Sequence, residues 1–137
     1  SKRTQKTFSM IMKNTALPEI KRINNRSEFL LISKYGKKAI SGGIILQVIN
    51  RQESELQKYP NEVIRLGYIV TKKIGKSVIR NKIKRRIRAG ARKILANFAK
   101  PGYDYVLIGR KKVVDYSFDR INSELLYLLR NTNTLKK

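Results

Sequence analysis

The segment from 63 to 109 switches between two hydrophobic periodicities, and this switch constrains the fold more than any other feature. VIRLGYIVT at 63–71 is a β-branched run typical of a strand. From there the spacing of apolar residues changes to about 3.6, which predicts a long helix at about 78–98 with Ser77 as its N-cap. YDYVLIG at 103–109 then predicts a further strand.

The rest of the chain continues this alternation of helices and strands. The predicted elements are a helix at about 26–35, a β-branched stretch at 39–50 in which Gly42-Gly43 marks a bulge or a break into two strands, a polar connector at 51–62, and a last helix at about 118–130 capped by Ser117. The order predicts an α+β protein, a single α/β sandwich of αβ(β)βαβα order with one small sheet and helices packed on it.

The length of 137 residues corresponds to one domain. Residues 18–137 form this predicted domain. Residues 1–17 are interpreted as a flexible basic extension, with a transit-like segment as the alternative. No apolar run approaches the length of about 20 residues that a membrane span needs. A cytoplasmic location is therefore expected.

The charge balance indicates a polyanionic partner. The chain has 32 Lys and Arg against 9 Asp and Glu, a net charge of +23 that opposes compaction unless an anion relieves it. Nucleic acid is the first candidate. A basic protein of the membrane surface is the alternative, but neither an aromatic-rich amphipathic helix nor a lipidation signal is found. The absence of His and Cys disfavours most protein-borne catalysis and metal binding.

The basic residues of the predicted long helix form two flanks beside an isoleucine stripe. At about 100° per residue, the wider flank comprises Asn81, Lys84, Arg85, Arg88 and Arg92, with Arg80 leaning toward it, and the narrower one Lys82, Arg86 and Lys93. No acid lies between Glu62 and Asp104, although a merely solvated helix normally intersperses Glu to form i,i+4 pairs. A solvated face stays the alternative, but the pattern favours binding of a polyanion. Gly90 lies inside the predicted helix, where glycine is unfavourable. It predicts either that the helix approaches the sheet closely at this position or that the helix simply tolerates the glycine.

Three segments resemble the protein subunit of bacterial ribonuclease P. They are VTKKIGKSVIRNKIKRRIR at 70–88, PGYDYVLIGRK at 101–111 and SEFLLISKYG at 27–36, and the resemblance covers about 18–130. It implies a ribosomal protein S5 domain 2-like fold with a small mixed sheet, in which the long helix joins two parallel neighbouring strands by a left-handed crossover. Because about 98% of such crossovers are right-handed, this hand comes from the resemblance alone.

The resemblance also implies a function. Family members bind a large catalytic RNA, and together the two subunits remove the 5′ leader from precursor tRNA. The RNA subunit is expected to perform the chemistry with Mg²⁺ bound through the RNA, so the protein alone needs no cofactor. The implied partners are the catalytic RNA and precursor tRNA.

The family's functional positions carry over to two sets of residues. The expected RNA-binding set, including Arg92 from the helical flank, is Lys72, Lys73, Arg80, Asn81, Lys82, Lys84, Arg85, Arg88 and Arg92. Lys82 departs from the family, which usually has Arg there. A cleft between the first helix and the sheet is expected to hold the leader on Phe29, helped by Tyr35 or Tyr68. Ser33 and Gln47 stand where aromatics are common, and Phe29 as an ordinary core residue is the alternative.

Two other functions are considered. A ribosomal or DNA-architectural protein would use the same basic surface. A protein nuclease would need Asp104, Asp115 and Asp119 as metal ligands. This is a poor hypothesis, because two-metal sites need clustered carboxylates and nothing else in the sequence supports cleavage by the protein without RNA.

Overall fold

The computed structural model describes residues 17–136, in which five strands form one mixed sheet packed with three helices. The strands are β1 (Ile20–Arg22), β2 (Lys37–Ile40), β3 (Ile44–Asn50), β4 (Ile64–Ile69) and β5 (Tyr103–Gly109), and the helices are α1 (Arg26–Tyr35), α2 (Ser77–Phe98) and α3 (Phe118–Asn131). Apart from Leu17, the predicted N-terminal extension lies outside the described residues.

The strand order β1-β4-β5-β3-β2 confirms the α+β class and the mixed sheet. β4 and β5 are parallel neighbours joined by α2, whereas β3 pairs antiparallel with β5 and β2 antiparallel with β3. The glycines at 42 and 43 lie between β2 and β3, so they mark a break into two strands. β1 was not predicted, because three residues at a sheet edge with two exposed basic side chains show no periodic pattern.

The helix ends follow capping chemistry at two of the three helices. Asn25 accepts a hydrogen bond from the backbone of Ser27 before α1, and Ser117 caps α3 as predicted. The prediction of Ser77 as the N-cap of α2 is wrong. Ser77 is already the first helical residue, and the cap position falls on Lys76, which makes no side-chain capping bond.

One face of the sheet packs against α2 and α3. The isoleucine stripe of α2 is buried at Ile83, Ile87 and Ile94, whereas Phe98 at the last position of the helix is 44% exposed. A Cβ on Gly109 of β5 would lie 2.6 Å from the Ile83 side chain, so this glycine lets α2 approach the sheet closely. The predicted approach of Gly90 to the sheet is wrong, because its added Cβ would meet Asn122 of α3 at 2.6 Å.

A buried ionic network fastens α1 to the opposite face of the sheet. Glu28 of α1 accepts hydrogen bonds from Arg65 of β4 at 2.7 Å and from the Tyr59 hydroxyl at 2.8 Å. Arg65 also donates to Asp104 of β5 at 2.8 Å. Burial by itself raises the pKa of Glu28, but the hydrogen bonds from Arg65 and Tyr59 outweigh it and hold that pKa below its ordinary value.

The same network fixes the connector between β3 and β4. Arg51 is fully buried and donates to the Asp104 carboxylate at 2.8 Å, to the Tyr103 carbonyl at 2.7 Å and to the Val63 carbonyl at 2.6 Å. One buried carboxylate therefore serves two buried guanidinium groups. Asp104 thus joins the first helix, the connector and the two central parallel strands.

Candidate nucleic-acid interface

The wider basic flank of α2 is a solvent-facing surface held on the sheet by the isoleucine stripe. Asn81, Arg85, Arg88 and Arg92 are exposed, and Lys84 is half-buried. Arg80 is also half-buried, at the first turn. Because this flank projects from a rigid 22-residue helix, its charges keep a fixed spacing along one line. Such a line suits the regular phosphates of a nucleic-acid backbone.

The turn before α2 adds two more cations to this surface. Lys72 and Lys73 are exposed on a short 3₁₀ turn between β4 and α2. Gly75 closes the turn with φ of +147°, a backbone conformation that favours glycine. The structure therefore brings these lysines to the amino end of α2, where helix N–H groups also favour anions.

The narrower flank is not equivalent to the wider one. Arg86 donates to the Tyr116 carbonyl, and its guanidinium carbon lies 4.9 Å from the centroid of the Phe118 ring. Phe118 is 53% exposed, and its ring is the platform for this contact. Arg86 is thus committed within the protein, while Lys82 stays exposed on the same side.

The carboxylates of the described residues leave the wider flank free of acid. Glu28 and Asp104 form ion pairs within the buried network, and Glu124 forms an ion pair with Arg120 at 3.3 Å. The exposed acids before β1, after β3 and before β4 lie at the sheet end where β4 and β5 begin; they are Glu19, Glu53, Glu55 and Glu62. The amino-terminal half of α2 packs at the other end of β5, away from these four carboxylates.

The sheet face that carries α1 exposes a row of four isoleucines. Ile40, Ile45, Ile108 and Ile69 are direct partners across β2, β3, β5 and β4, so their side chains share one face. Ile40 is 62% exposed, and the other three are half-buried. A partly exposed apolar row of this kind can serve as the floor for an apolar or stacking ligand.

Phe29 of α1 stands beside this isoleucine row. Its ring lies against Gly67 of β4, where an added Cβ would be 2.5 Å from the ring, and Gly67 precedes Ile69 by two residues on the same face. Phe29 is half-buried, so its ring both packs on the sheet and borders the row. We call the isoleucine row and Phe29 together the α1 cleft.

The three aromatic residues expected in one cleft are not brought together. Tyr35 is 65% exposed at the end of α1. Tyr68 lies on the opposite face of the sheet, packed on the core beneath α2, with the Arg88 guanidinium 5.4 Å from its ring centroid. The alternation of side chains along a strand accounts for the position of Tyr68: Gly67 faces α1, so the next residue must face away from it. The four isoleucines were missed because their pairing depends on register.

The candidate metal ligands are also separated by their environment. Asp104 is fully buried and bonded to two arginines, whereas Asp115 and Asp119 are exposed near α3. Within residues 17–136, no group of three His, Cys, Asp or Glu side chains is placed to hold a metal ion. In the same part of the chain, no helix is both long and apolar enough to cross a membrane.

The chain is similar in sequence to known proteins of one family. The sequence model of the family described as Ribonuclease P matches residues 17–133. The ribonuclease P protein component of Paramagnetospirillum magneticum is 33% identical over 116 residues, which cover 85% of each chain. That of Gluconacetobacter diazotrophicus is 35% identical over 109 residues, 80% of this chain and 88% of the relative.

Solved structures show the same likeness. The ribonuclease P protein of Staphylococcus aureus superposes with a TM-score of 0.66 at 27% identity, covering 84% of this chain and 97% of that one. The ribonuclease P protein of Thermotoga maritima gives a TM-score of 0.62 at 30% identity, covering 81% and 96% of the two chains.

Proposed function

We infer the function from one premise: the chain belongs to the ribonuclease P protein family, and so acts in tRNA processing as a component of an endoribonuclease whose partner is an RNA subunit. We propose that the wider flank of α2, with Lys72 and Lys73, is the surface that binds this RNA. The observation that carries the proposal is an acid-free line of cations on a rigid helix. The family match does not favour the alternative of a ribosomal or DNA-architectural protein.

The chemical step is assigned in this proposal to the RNA subunit with Mg²⁺ bound through the RNA. The protein has no His and no Cys, and its most buried carboxylate, Asp104, is already bonded to two guanidinium groups. The protein's contribution is then electrostatic. Its cations lower the repulsion between RNA segments, a task that otherwise falls to Mg²⁺.

The substrate in this proposal is precursor tRNA, whose single-stranded 5′ leader lies in the α1 cleft. Stacking on Phe29 and apolar contact with the isoleucine row would hold unpaired bases without a strong sequence preference. Tyr35 and Tyr68, which were predicted to assist Phe29, do not contribute to leader binding in this proposal. Ser33 is exposed and Gln47 is buried beneath α1, so neither supplies a ring.

Reconstitution with ribonuclease P RNA at low Mg²⁺ tests the function. We expect the full chain to accelerate cleavage of precursor tRNA over the RNA alone, and the gain to shrink as Mg²⁺ is raised. RNA-free protein should show no cleavage. If the protein gave no gain at any Mg²⁺ concentration at which the RNA alone is limited, the proposed function would be wrong.

Replacing Ile108 by glutamate should impair recognition of the leader. The new carboxylate stands at the centre of the isoleucine row, where it repels backbone phosphates and removes an apolar contact. We expect the affinity for precursor tRNA to fall about tenfold, with little change for mature tRNA. Fluorescence anisotropy of the reconstituted complex measures both.

Tyr127→Glu is the control for this change, since Tyr127 is 50% exposed on α3, away from the cleft. It should bind both RNAs as the unmodified protein does. If Ile108→Glu lost equal affinity for precursor and mature tRNA, the leader would not bind in the α1 cleft.

A further inference from the structure

A second cleft, which is basic, lies between β1 and α2 on the sheet face opposite the α1 cleft. Its volume is about 170 Å³, and it is lined by Ile20, Lys21, Arg22, Leu66, Tyr68, Arg88 and Arg92. Arg22 approaches from the edge strand, Arg88 and Arg92 from successive turns of α2, and Tyr68 from β4 beneath them. Three separate elements therefore converge on one small concave site.

Among the described residues, the lining of this cleft carries four cations and no carboxylate. Arg88 and Arg92 are spaced i,i+4 on one helix, an arrangement in which like charges destabilise each other. The unpaired positive charge of the cleft is therefore an unfavourable feature of the protein by itself. An anion in the cleft would convert this repulsion into attraction.

The Tyr68 hydroxyl is a buried polar group without a partner. Within residues 17–136 it has no hydrogen-bond acceptor, although it is shielded from solvent. Burial raises the pKa of Tyr68 to about 12, against the opposing effect of Arg88, Arg92 and Arg22. The hydroxyl consequently stays protonated at neutral pH, and it is a donor that lacks an acceptor.

We propose that this cleft, the Tyr68 pocket, binds a phosphodiester group of the RNA that lies along α2. The Tyr68 hydroxyl donates one hydrogen bond to a phosphate oxygen, and Arg22 and Arg92 supply forked donors from either side. The proposal rests on the proposed function, which it deepens. It adds Arg22 and Tyr68 to the RNA contacts and extends the interface from α2 onto the sheet edge.

The three arginines that line the cleft carry their charges on flexible side chains. Arg22, Arg88 and Arg92 are all exposed, so their guanidinium groups can turn toward an incoming phosphate without backbone movement. The ring of Tyr68, by contrast, is packed on the core beneath α2. The pocket therefore combines a fixed donor at its floor with adjustable cations at its rim.

Tyr68→Phe tests the pocket in the full chain, because it removes one oxygen and leaves the packed ring. The melting temperature should stay unchanged or rise slightly, since the hydroxyl loses no partner in the free protein. Affinity for ribonuclease P RNA should fall about tenfold with an unchanged salt slope. Arg22→Ala should lower that slope by about 0.9, the value for one phosphate.

Tyr127→Phe, the same change at an exposed position, should leave RNA affinity unaltered. If the unmodified chain binds the RNA and Tyr68→Phe binds it equally well, the pocket is refuted while the proposed function stands. If the unmodified chain does not bind the RNA, both fail.

Inorganic phosphate at matched ionic strength distinguishes the two sources of the anion. Tyr68-dependent thermal stabilisation by phosphate, combined with full RNA affinity in Tyr68→Phe, would assign the pocket to a free ion and overturn the RNA contact.

Discussion

Replacing Asp104 by asparagine is expected to lower the free energy of unfolding by about 3–5 kcal/mol. The carboxylate of Asp104 is fully buried and lies 2.8 Å from a guanidinium nitrogen of each of Arg51 and Arg65. Asparagine keeps the shape but removes the negative charge, and it leaves Arg51 without an anionic partner among the described residues. Urea unfolding followed by circular dichroism measures the change as a shift in the midpoint at constant m.

Asp115→Asn is the matched control for the loss of Asp104, because it makes the same chemical change at an exposed site. Its effect should stay within about 0.5 kcal/mol. A loss below about 1 kcal/mol in Asp104→Asn would show that the buried arginines find other acceptors. In that case the network would not be what holds α1 and the connector on the sheet.

The second large effect is expected from removing three cations of the wider flank together. Replacing Arg80, Lys84 and Arg85 by alanine should lower the slope of log K against log salt by about 2.7, from about 0.9 per phosphate. If the variant and the unmodified protein bind equally near 1 M salt, this difference in slope corresponds to an affinity loss of about two orders of magnitude at about 0.15 M salt. Filter binding of ribonuclease P RNA across a salt series measures both quantities.

A triple variant of equal charge provides the comparison. Lys58, Arg130 and Lys136 are exposed and lie off the α2 flanks, and their replacement by alanine changes the net charge by the same amount. This control should keep most of the slope, since only cations that displace counterions at contacted phosphates contribute to it. Equal slopes in the two triple variants would show that net charge, and not the α2 surface, drives binding.

Local patterns in the sequence were sufficient to predict the main elements and the basic surface. Most isoleucines of the α2 stripe are buried and α3 lies where it was predicted, because helical periodicity is set within a few residues along the chain. The segments at 70–88 and 101–111 likewise carry the resemblance that the family match confirms. The errors in these local predictions are confined to ends and neighbours, as at Ser77 and Gly90.

The α1 cleft and the ionic network depend on contacts between distant parts of the chain. Ile40, Ile69 and Ile108 become neighbours only through strand register, and Glu28 meets Arg65 across 37 positions. Arg51 and Asp104 appeared in the sequence as a connector residue and a poor candidate ligand. Nothing within a local window distinguishes a buried charge from an exposed one when its partner lies far away along the chain.

Tyr68 shows most clearly which features the local sequence determines and which depend on the tertiary structure. The sequence alone established a strand at 63–71 and a basic helix after it, since both follow from local hydrophobic spacing. Only the tertiary structure decided that Gly67 faces Phe29 and that Tyr68 therefore faces Arg88 on the other side of the sheet. The physical reason is that a strand has two faces related by one residue, and packing against distant elements selects which face each residue occupies.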